Sequence, residues 1–490
     1  MILEENITAR ILEIARDLTQ PTEYSMLLQK ILNDAMDITN CDGGTLYIMQ
    51  NNALAFMIMI TRSKNFCNGG DGRPVALPPV ALNSTSVSAY VAREKVTKNI
   101  ADVYNDVEFN WEGPKKYDAL NDYHTQSELV VPLINHEQKV IGVLQLINAQ
   151  DASGNVVAFT SEEETIIEAI SSLAAVSLSN RNMINQLQEL LDSISLSFTD
   201  AIETRTKFNA NHTRHVTEYC RGFANFLSLR GEMGGDNIVL SENQKAQLIM
   251  AASLHDIGKL SVPLDLLNKS DRLDFRLKEM QTRWKWLLTD LKVKYYSGKI
   301  SEKDYYNTLT TYNGYIDFIC KVNKAPFLED EDLEKIKAID NVNYTTSEGE
   351  VIDFITAEET HELCIRRGTL TAEERKEIEK HAEYTSKILE KIKFGEKYDR
   401  VRFIAGAHHE TLNGTGYPQG LTAKDLPCEV RILTIMDIFD SLTVADRPYK
   451  KPHGKDSAVR ILREMVEEGK LDRNLVELVA EYFDTTELIK

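Results

Sequence analysis

The sequence lacks any closely spaced pair of cysteines: its six (Cys41, Cys67, Cys220, Cys320, Cys364, Cys428) are scattered over 490 residues. That spacing argues against a zinc ribbon and against a secreted disulfide framework, so free buried thiols are expected. It also lacks a basic excess. Lys+Arg 56 against Asp+Glu 75 leaves a net charge of −19, and such a balance offers no broad basic face to the phosphates of DNA, RNA or an anionic membrane. A small nucleotide held through metal ions stays compatible with it. No run approaches the roughly eighteen consecutive apolar residues of a membrane span, and the opening MILEENITARILEIARDL reads as an amphipathic helix, not a signal segment. The cytoplasm is the expected location, with no membrane role. Glycine (24) and proline (12) are too sparse for a disordered or fibrous chain. At about one to two hundred residues per domain, the length predicts three domains, or two and a substantial insertion.

Histidine is nearly missing from the first two hundred residues, where only His124 and His136 occur. His212, His215, His255, His361, His381, His408, His409 and His453 follow. Metal or acid–base chemistry is therefore expected in the second half.

Residues 1–40 read helical, with Ile7, Ile11, Ile14, Leu18, Leu27, Leu28, Ile31, Leu32, Ala35 and Met36 largely at three-to-four spacing. The period then changes. TLYIMQ, an Asn51-Asn52 turn and ALAFMIMIT read as one hairpin, and SELVVPLI, NHEQ and KVIGVLQLIN as another. The first region is thus an α+β domain, an antiparallel sheet flanked by helices. From Ser161 to about Arg205 neither Pro nor Gly interrupts the chain, which predicts one long helix or two closely joined ones. Met183, Leu187, Leu190, Ile194, Phe198 and Ala201 form a seam along it. The stretch 183–205 reads either as a helix packed on its own domain or as a signalling helix that pairs two subunits in a homodimer. Beyond residue 205 the pattern is helical. Residues 270–372 stand apart as a polar helical insertion, whose Trp284, Trp286, Tyr295, Tyr296, Tyr305, Tyr306, Tyr312 and Tyr315 are expected to form a small core of their own.

His255-Asp256 follows the apolar run IMAASL; His381 lies in EIEKHAEYTSKIL, His408-His409 in AGAHHETLNGTGYP, and Asp437 in RILTIMDIFDSLT. Imidazoles and carboxylates among apolar neighbours are costly unless paired or metal-bound. With His212 the set is five imidazoles and two aspartates, which suits two Mn- or Fe-type ions, since a lone zinc needs only three or four ligands. His215, His361 and His453 are expected to be satisfied core side chains.

The strings HDIGK, HHETLNGTGYPQGL and IMDIFDSLTVADRPYKKP, in this order, resemble the HD-GYP subfamily of HD-domain phosphohydrolases, metal-dependent phosphodiesterases that degrade cyclic di-GMP. The resemblance covers 196–269 and 373–490, so it implies an all-α helical bundle over 196–490 interrupted by 270–372. It implies that His212, His255, Asp256 and Asp437 hold one metal, and that Asp256 bridges to a second held by His381, His408 and His409. Phe208 stands where some members carry a carboxylate for a third metal, so two are expected, Fe or Mn rather than Zn. Asp256 and Lys259 are implied to be catalytic. Lys259, Arg447, Lys450 and Tyr417 are implied to meet the substrate, Tyr417 alternatively serving the fold. The implied reaction is attack of a metal-bridging hydroxide on cyclic di-GMP, giving pGpG or GMP. Two alternatives stand beside it: hydrolysis of 3′,3′-cyclic GMP-AMP, and a non-catalytic cyclic-dinucleotide receptor or scaffold that docks to a diguanylate cyclase.

DGGTLYIM, STSVSAYVA, NIADVY, TQSELVVPLI, VIGVLQLIN and FTSEEE are similar to a GAF domain over roughly 8–182. Asn148, Phe159, Glu163 and Glu164 fit the pattern of cyclic-nucleotide-binding members, where Ala149 replaces a lysine. The resemblance implies a small-molecule sensor with a cyclic nucleotide as its ligand, or else a structural dimerisation module.

Overall fold

The computed structural model describes residues 12–14, 16, 24–70, 74–205, 211–232, 238–444 and 452–486. The expected helix before residue 12 lies outside them, as do Phe208, Arg447 and Lys450. The chain divides into two compact units, 1–190 and 191–490.

In the first unit, helix α1 (Tyr24–Ile38) leads into strands β1 (Cys41–Gln50), β2 (Ala53–Thr61), β3 (Phe66–Gly69) and β4 (Val80–Ala81). Helix α2 (Val87–Glu94), strand β5 (Lys98–Ile100), helix α3 (Glu112–Asn121) and strands β6 (Glu128–Ile134), β7 (Val140–Gln150) and β8 (Val156–Val157) complete it. The antiparallel sheet runs β3-β2-β1-β7-β6-β5, with β4 on β2 and β8 on β7. Both expected hairpins form. Asn51 and Asn52 turn β1 into β2 with φ of 48° and 62°, the left-handed pair that matches strand twist and that asparagine tolerates. Because successive strand residues face opposite ways, Leu46, Leu144 and Leu146 pack on one side against Leu28, Ile31 and Leu32 of α1. Tyr47 and Val143 pack on the other side, with Val87, Val91 and Trp111.

Helix α4 (Ser161–Arg205) is one uninterrupted 45-residue helix. Ile167, Ile170 and Ala174 near its start are buried in the first core. Farther along, Met183, Leu187, Leu190, Ile194 and Phe198 are all exposed.

The second unit continues with α5 (His212–Glu232), α6 (Glu242–Leu254), a 3-10 turn (Ile257–Ser261) and α7 (Leu264–Leu267). Next come α8 (Arg276–Tyr296), α9 (Glu302–Lys324), α10 (Asp330–Asp340), the strands β9 (Asn343–Thr345) and β10 (Val351–Asp353), and α11 (Ala357–Leu363). The chain ends with α12 (Ala372–Glu379), α13 (His381–Leu389), α14 (Val401–Gly406), α15 (Cys428–Thr443), α16 (Lys455–Glu467) and α17 (Arg473–Thr485). Its main core gathers Val216 and Phe223 of α5, Leu248 and Ala251 of α6, Ile432, Ile435 and Phe439 of α15, and Val476 and Tyr482 of α17. Helix α15 is buried on nearly every side, its apolar residues in the core and Asp437 and Asp440 among the buried polar ones.

The 270–372 segment has its own core, which includes Trp284, Tyr312, Tyr344 and Phe354. It is not purely helical: β9 and β10 pair as an antiparallel hairpin, whose short alternating strands escape helical periodicity. Trp286, Tyr296 and Tyr306 are exposed, outside that core. Arg272 is fully buried and donates to the carbonyls of Val322, Ala325 and Ile365, which ties the segment's two ends together. All six cysteines are free, but Cys67 is exposed on the short edge strand β3.

Candidate metal centre

Each residue of the centre owes its position to a helix end or a helix face. His212 opens α5, His255 caps α6, Asp256 starts the 3-10 turn, His381 opens α13, His408 and His409 follow α14, and Asp437 sits midway along α15. Helix α6 is started by a capping box, in which Ser241 Oγ accepts from Gln244 N and Gln244 Oε1 accepts from Ser241 N. At its other end Thr385 Oγ1 donates to His255 O at 2.7 Å and accepts from Gly258 N at 3.0 Å. One hydroxyl thereby ties the His-Asp turn to α13. A side chain on Gly258 would strike His381 O at 1.9 Å, so only glycine permits this approach.

The structure brings all seven residues expected to hold metal into one cluster. His381 Nε2 lies 3.3 Å from His408 Nε2 and 3.1 Å from His409 Nε2. His212 Nε2 is 3.0 Å from Asp437 Oδ1, and His255 Nε2 is 3.9 Å from it. Asp256 turns Oδ1 toward His381 Nε2 at 3.5 Å and Oδ2 toward His255 Nε2 at 3.5 Å, one oxygen to each group. Three sets emerge, buried except for the partly exposed His409 and each close enough to share an ion: His381, His408 and His409; His212, His255 and Asp437; and His255, Asp256 and His408.

The donor set fits divalent cations on a specific observation. His255, His381 and His408 each donate Nδ1–H to a carbonyl three residues earlier, those of Ala252, Ile378 and Ala405, at 2.6–2.7 Å. A neutral imidazole that donates through Nδ1 leaves a bare lone pair on Nε2. The Nε2 lone pairs of His381 and His408 therefore face each other, and His255 Nε2 is buried with no hydrogen-bond partner. Ligand nitrogens about 2.0–2.1 Å from a shared ion lie roughly 3–3.5 Å apart, which is the spacing observed.

The electrostatics agree. Burial, reinforced by neighbouring imidazoles, holds His408 well below the ordinary histidine range; burial brings His409 down to about 3 and also lowers His381. These rings are neutral, as metal ligation requires. His212 goes the other way. Burial disfavours its charge, but hydrogen bonds to Asp437 and Asp440 outweigh that and raise it to about 10. Its proton fills the gap to Asp437 that a cation would otherwise fill. Burial penalises the charge on Asp256, yet Lys259 and the surrounding imidazoles hold its carboxyl well below the usual range.

Lys259 Nζ meets Asp256 Oδ2 at 2.6 Å. The Tyr417 ring lies 4.7 Å from that of His409, and Tyr417 N donates to His409 O. The peptide bond Tyr417–Pro418 is cis. Glu410, buried, accepts from Gln419 N at 2.7 Å and Leu421 N at 2.9 Å, closing the Gly-Tyr-Pro loop back onto the histidine pair.

Sequence reasoning missed Asp440. Its Oδ2 accepts from His212 Nδ1 at 2.6 Å and its Oδ1 from His215 Nδ1 at 3.2 Å. The available signal was its place three residues after Asp437, on the same helix face. His215 is accordingly no core side chain but a half-exposed partner of Asp440. His361 is exposed, 3.8 Å from Glu373, and His453 is half-buried beside Ser457.

A helical domain that closes buried histidines and aspartates around sites for divalent ions has the build of a metal-binding domain of HD type. The comparisons agree: residues 356–475 match the HD domain family and residues 23–178 the GAF domain family. The chain thus carries a GAF domain followed by a helical region that holds an HD domain. HD domains bind divalent metals, and His381, His408, His409 and Asp437 fall inside the matched stretch, whereas His212, His255 and Asp256 precede it. The match begins at 356, within the segment taken from the sequence as an insertion. Among relatives, the 3′3′-cGAMP-specific phosphodiesterase 3 of Vibrio cholerae is 40% identical over 97 residues, 20% of each chain. The 3′3′-cGAMP-specific phosphodiesterase 1 of the same organism is 23% identical over 291 residues, 59% of this chain and 42% of that one. A cyclic di-GMP phosphodiesterase response regulator of Xanthomonas campestris is 34% identical over 101 residues, 20% of this chain and 26% of that one. The chain spans less than half the length of each of these relatives.

Proposed function

We propose that the second unit is a metal-dependent phosphodiesterase of HD-GYP type that opens a cyclic dinucleotide, cyclic di-GMP, to pGpG or GMP, under control of the GAF domain. The observation that carries this reading is the set of inward-facing, neutral Nε2 atoms beside two ionised aspartates. Two ions are proposed, Mn or Fe rather than Zn, because five imidazoles and two carboxylates exceed the three or four ligands that a lone zinc takes. When bound, such ions supply a nucleophilic water at neutral pH and neutralise a phosphodiester oxygen. The chain's own residues do the rest. Asp256, with one oxygen toward each imidazole group, orders the site; Lys259 brings a positive charge beside it to receive a phosphate oxygen. Tyr417 offers an aromatic wall next to His409 against which a base can stack. A new P–O bond forms from water, the P–O3′ bond breaks, and the leaving oxygen takes a proton. Arg447 and Lys450 remain proposed phosphate contacts.

A second substrate is favoured by a specific finding, the cGAMP specificity named for two of the relatives: 3′,3′-cyclic GMP-AMP. Metal analysis of the full chain, with product identification from both dinucleotides, tests the proposal. Hydrolysis is expected for at least one of them, and His255→Ala and Asp256→Ala are expected to abolish it. Retained turnover in either variant overturns the reading. For the GAF domain, a small-molecule sensing role is proposed, and binding of cyclic AMP or cyclic GMP is a matter for calorimetry. A homodimer through the exposed stripe of α4 is proposed as the working form.

A further inference from the structure

The first unit holds a half-open cavity of about 480 Å³ between its sheet, the start of α2 and the Asn110–Trp111 segment, a size that suits a small molecule. Tyr47, Phe56, Phe66 and Trp111 give it aromatic walls. Among the described lining residues there is no lysine, arginine or histidine, and the one carboxylate is Glu128. Glu128 is 1% exposed. A relay fixes its orientation: Tyr47 Oη donates to Gln145 Oε1 at 2.7 Å, and Gln145 Nε2 donates to Glu128 Oε1 at 2.7 Å. The second oxygen, Oε2, is buried with no hydrogen-bond partner. A buried acceptor left unmatched is costly, and a donor brought by a ligand offsets that cost.

We propose that this cavity binds a flat aromatic or heteroaromatic molecule carrying an amine or ring N–H that donates to Glu128 Oε2, and that a phosphate-bearing nucleotide is not its ligand. An anionic phosphate placed here would lose its water with no described cation to replace it and would face a carboxylate. The four residues that fit the cyclic-nucleotide pattern are occupied elsewhere. Asn148 bonds Gln126 N, Tyr123 Oη and His124 O; Phe159 lies in the opposite core; Glu163 caps α4 through Thr160; and Glu164 accepts from Asn99. None of the four lines the cavity. Burial pushes the Glu128 carboxyl up to about 7 by disfavouring its charge, and an ammonium brought beside it favours the ionised form.

The test is calorimetry on the full chain with tryptamine, indole-3-acetate, cyclic AMP and cyclic GMP. Tryptamine is expected to bind at least about tenfold more tightly than indole-3-acetate, with neither nucleotide binding in the first unit, and Glu128→Gln to erase the preference by replacing the acceptor with a donor. Binding of either nucleotide that competes with tryptamine, equal or tighter binding of indole-3-acetate, or no binding of tryptamine overturns the proposal, as does an unchanged preference in a folded Glu128→Gln. If that variant does not fold, the order of affinities in the unaltered chain decides. None of these readouts involves hydrolysis, so they stand apart from the outcome at the metal centre.

Discussion

Asp440 does for His212 what backbone carbonyls do for His255, His381 and His408: it holds the Nδ1 proton and so aims Nε2 at the cluster. Partners of this kind are worth about 10–100-fold in metal affinity or activity. Asp440→Asn is therefore expected to weaken metal binding by about that factor while leaving the helical content intact, as measured by competition with a chelating dye and by circular dichroism. An unchanged affinity would remove Asp440 from the site. Six residues of the cluster were legible because each stands in a recognisable string or beside an apolar run, and His212 through the family resemblance. Asp440 was not, because a carboxylate on a helix takes its role from what faces it, and His212 is 228 residues away.

At the scale of elements, the 3-10 turn and α13 are in such close contact that Gly258 has room for a hydrogen and nothing larger. Gly258→Ala must push the turn away from His381 and Thr385. A denaturation midpoint lowered by an equivalent of about 1–3 kcal/mol is expected, together with loss of metal, since His255 and Asp256 move with the turn. Helix α4 makes a different prediction. Its stripe of Met183, Leu187, Leu190, Ile194 and Phe198 is exposed, and contiguous exposed apolar residues at this spacing mark a partner surface. Single cysteines at Leu187 or Ile194, in a background freed of the native thiols, are expected to give crosslinked dimers under mild oxidation; only monomer would leave the stripe without a second copy. The helix was readable from the absence of Pro and Gly. The hairpin of β9 and β10 was not, because strands of three residues carry too little alternation to stand out.

For the whole molecule, stability is expected to depend on metal in one unit and not in the other. Ions that bind the folded state alone stabilise it by about 4 kcal/mol when present at a thousandfold over their dissociation constant. Chelation is expected to lower the melting transition of the 191–490 unit and to leave that of the 1–190 unit in place, which calorimetry of the full chain would resolve. Such a result would separate the two units thermodynamically, as chain contacts already do. The amino-acid sequence by itself determined the α+β unit, the unbroken helix after it, the helical unit beyond, and the residue types of a metal centre, because periodicity and the order of motifs are properties along the chain. Only the tertiary structure decided that the lone pairs of His381 and His408 point at each other, that Asp440 stands behind His212, and that Glu128 is the one carboxylate, and no cation its neighbour, among the described residues lining a cavity. Those facts are distances and solvent exposures between residues far apart in sequence, and a buried nitrogen or oxygen acquires its chemistry from what the fold leaves opposite it.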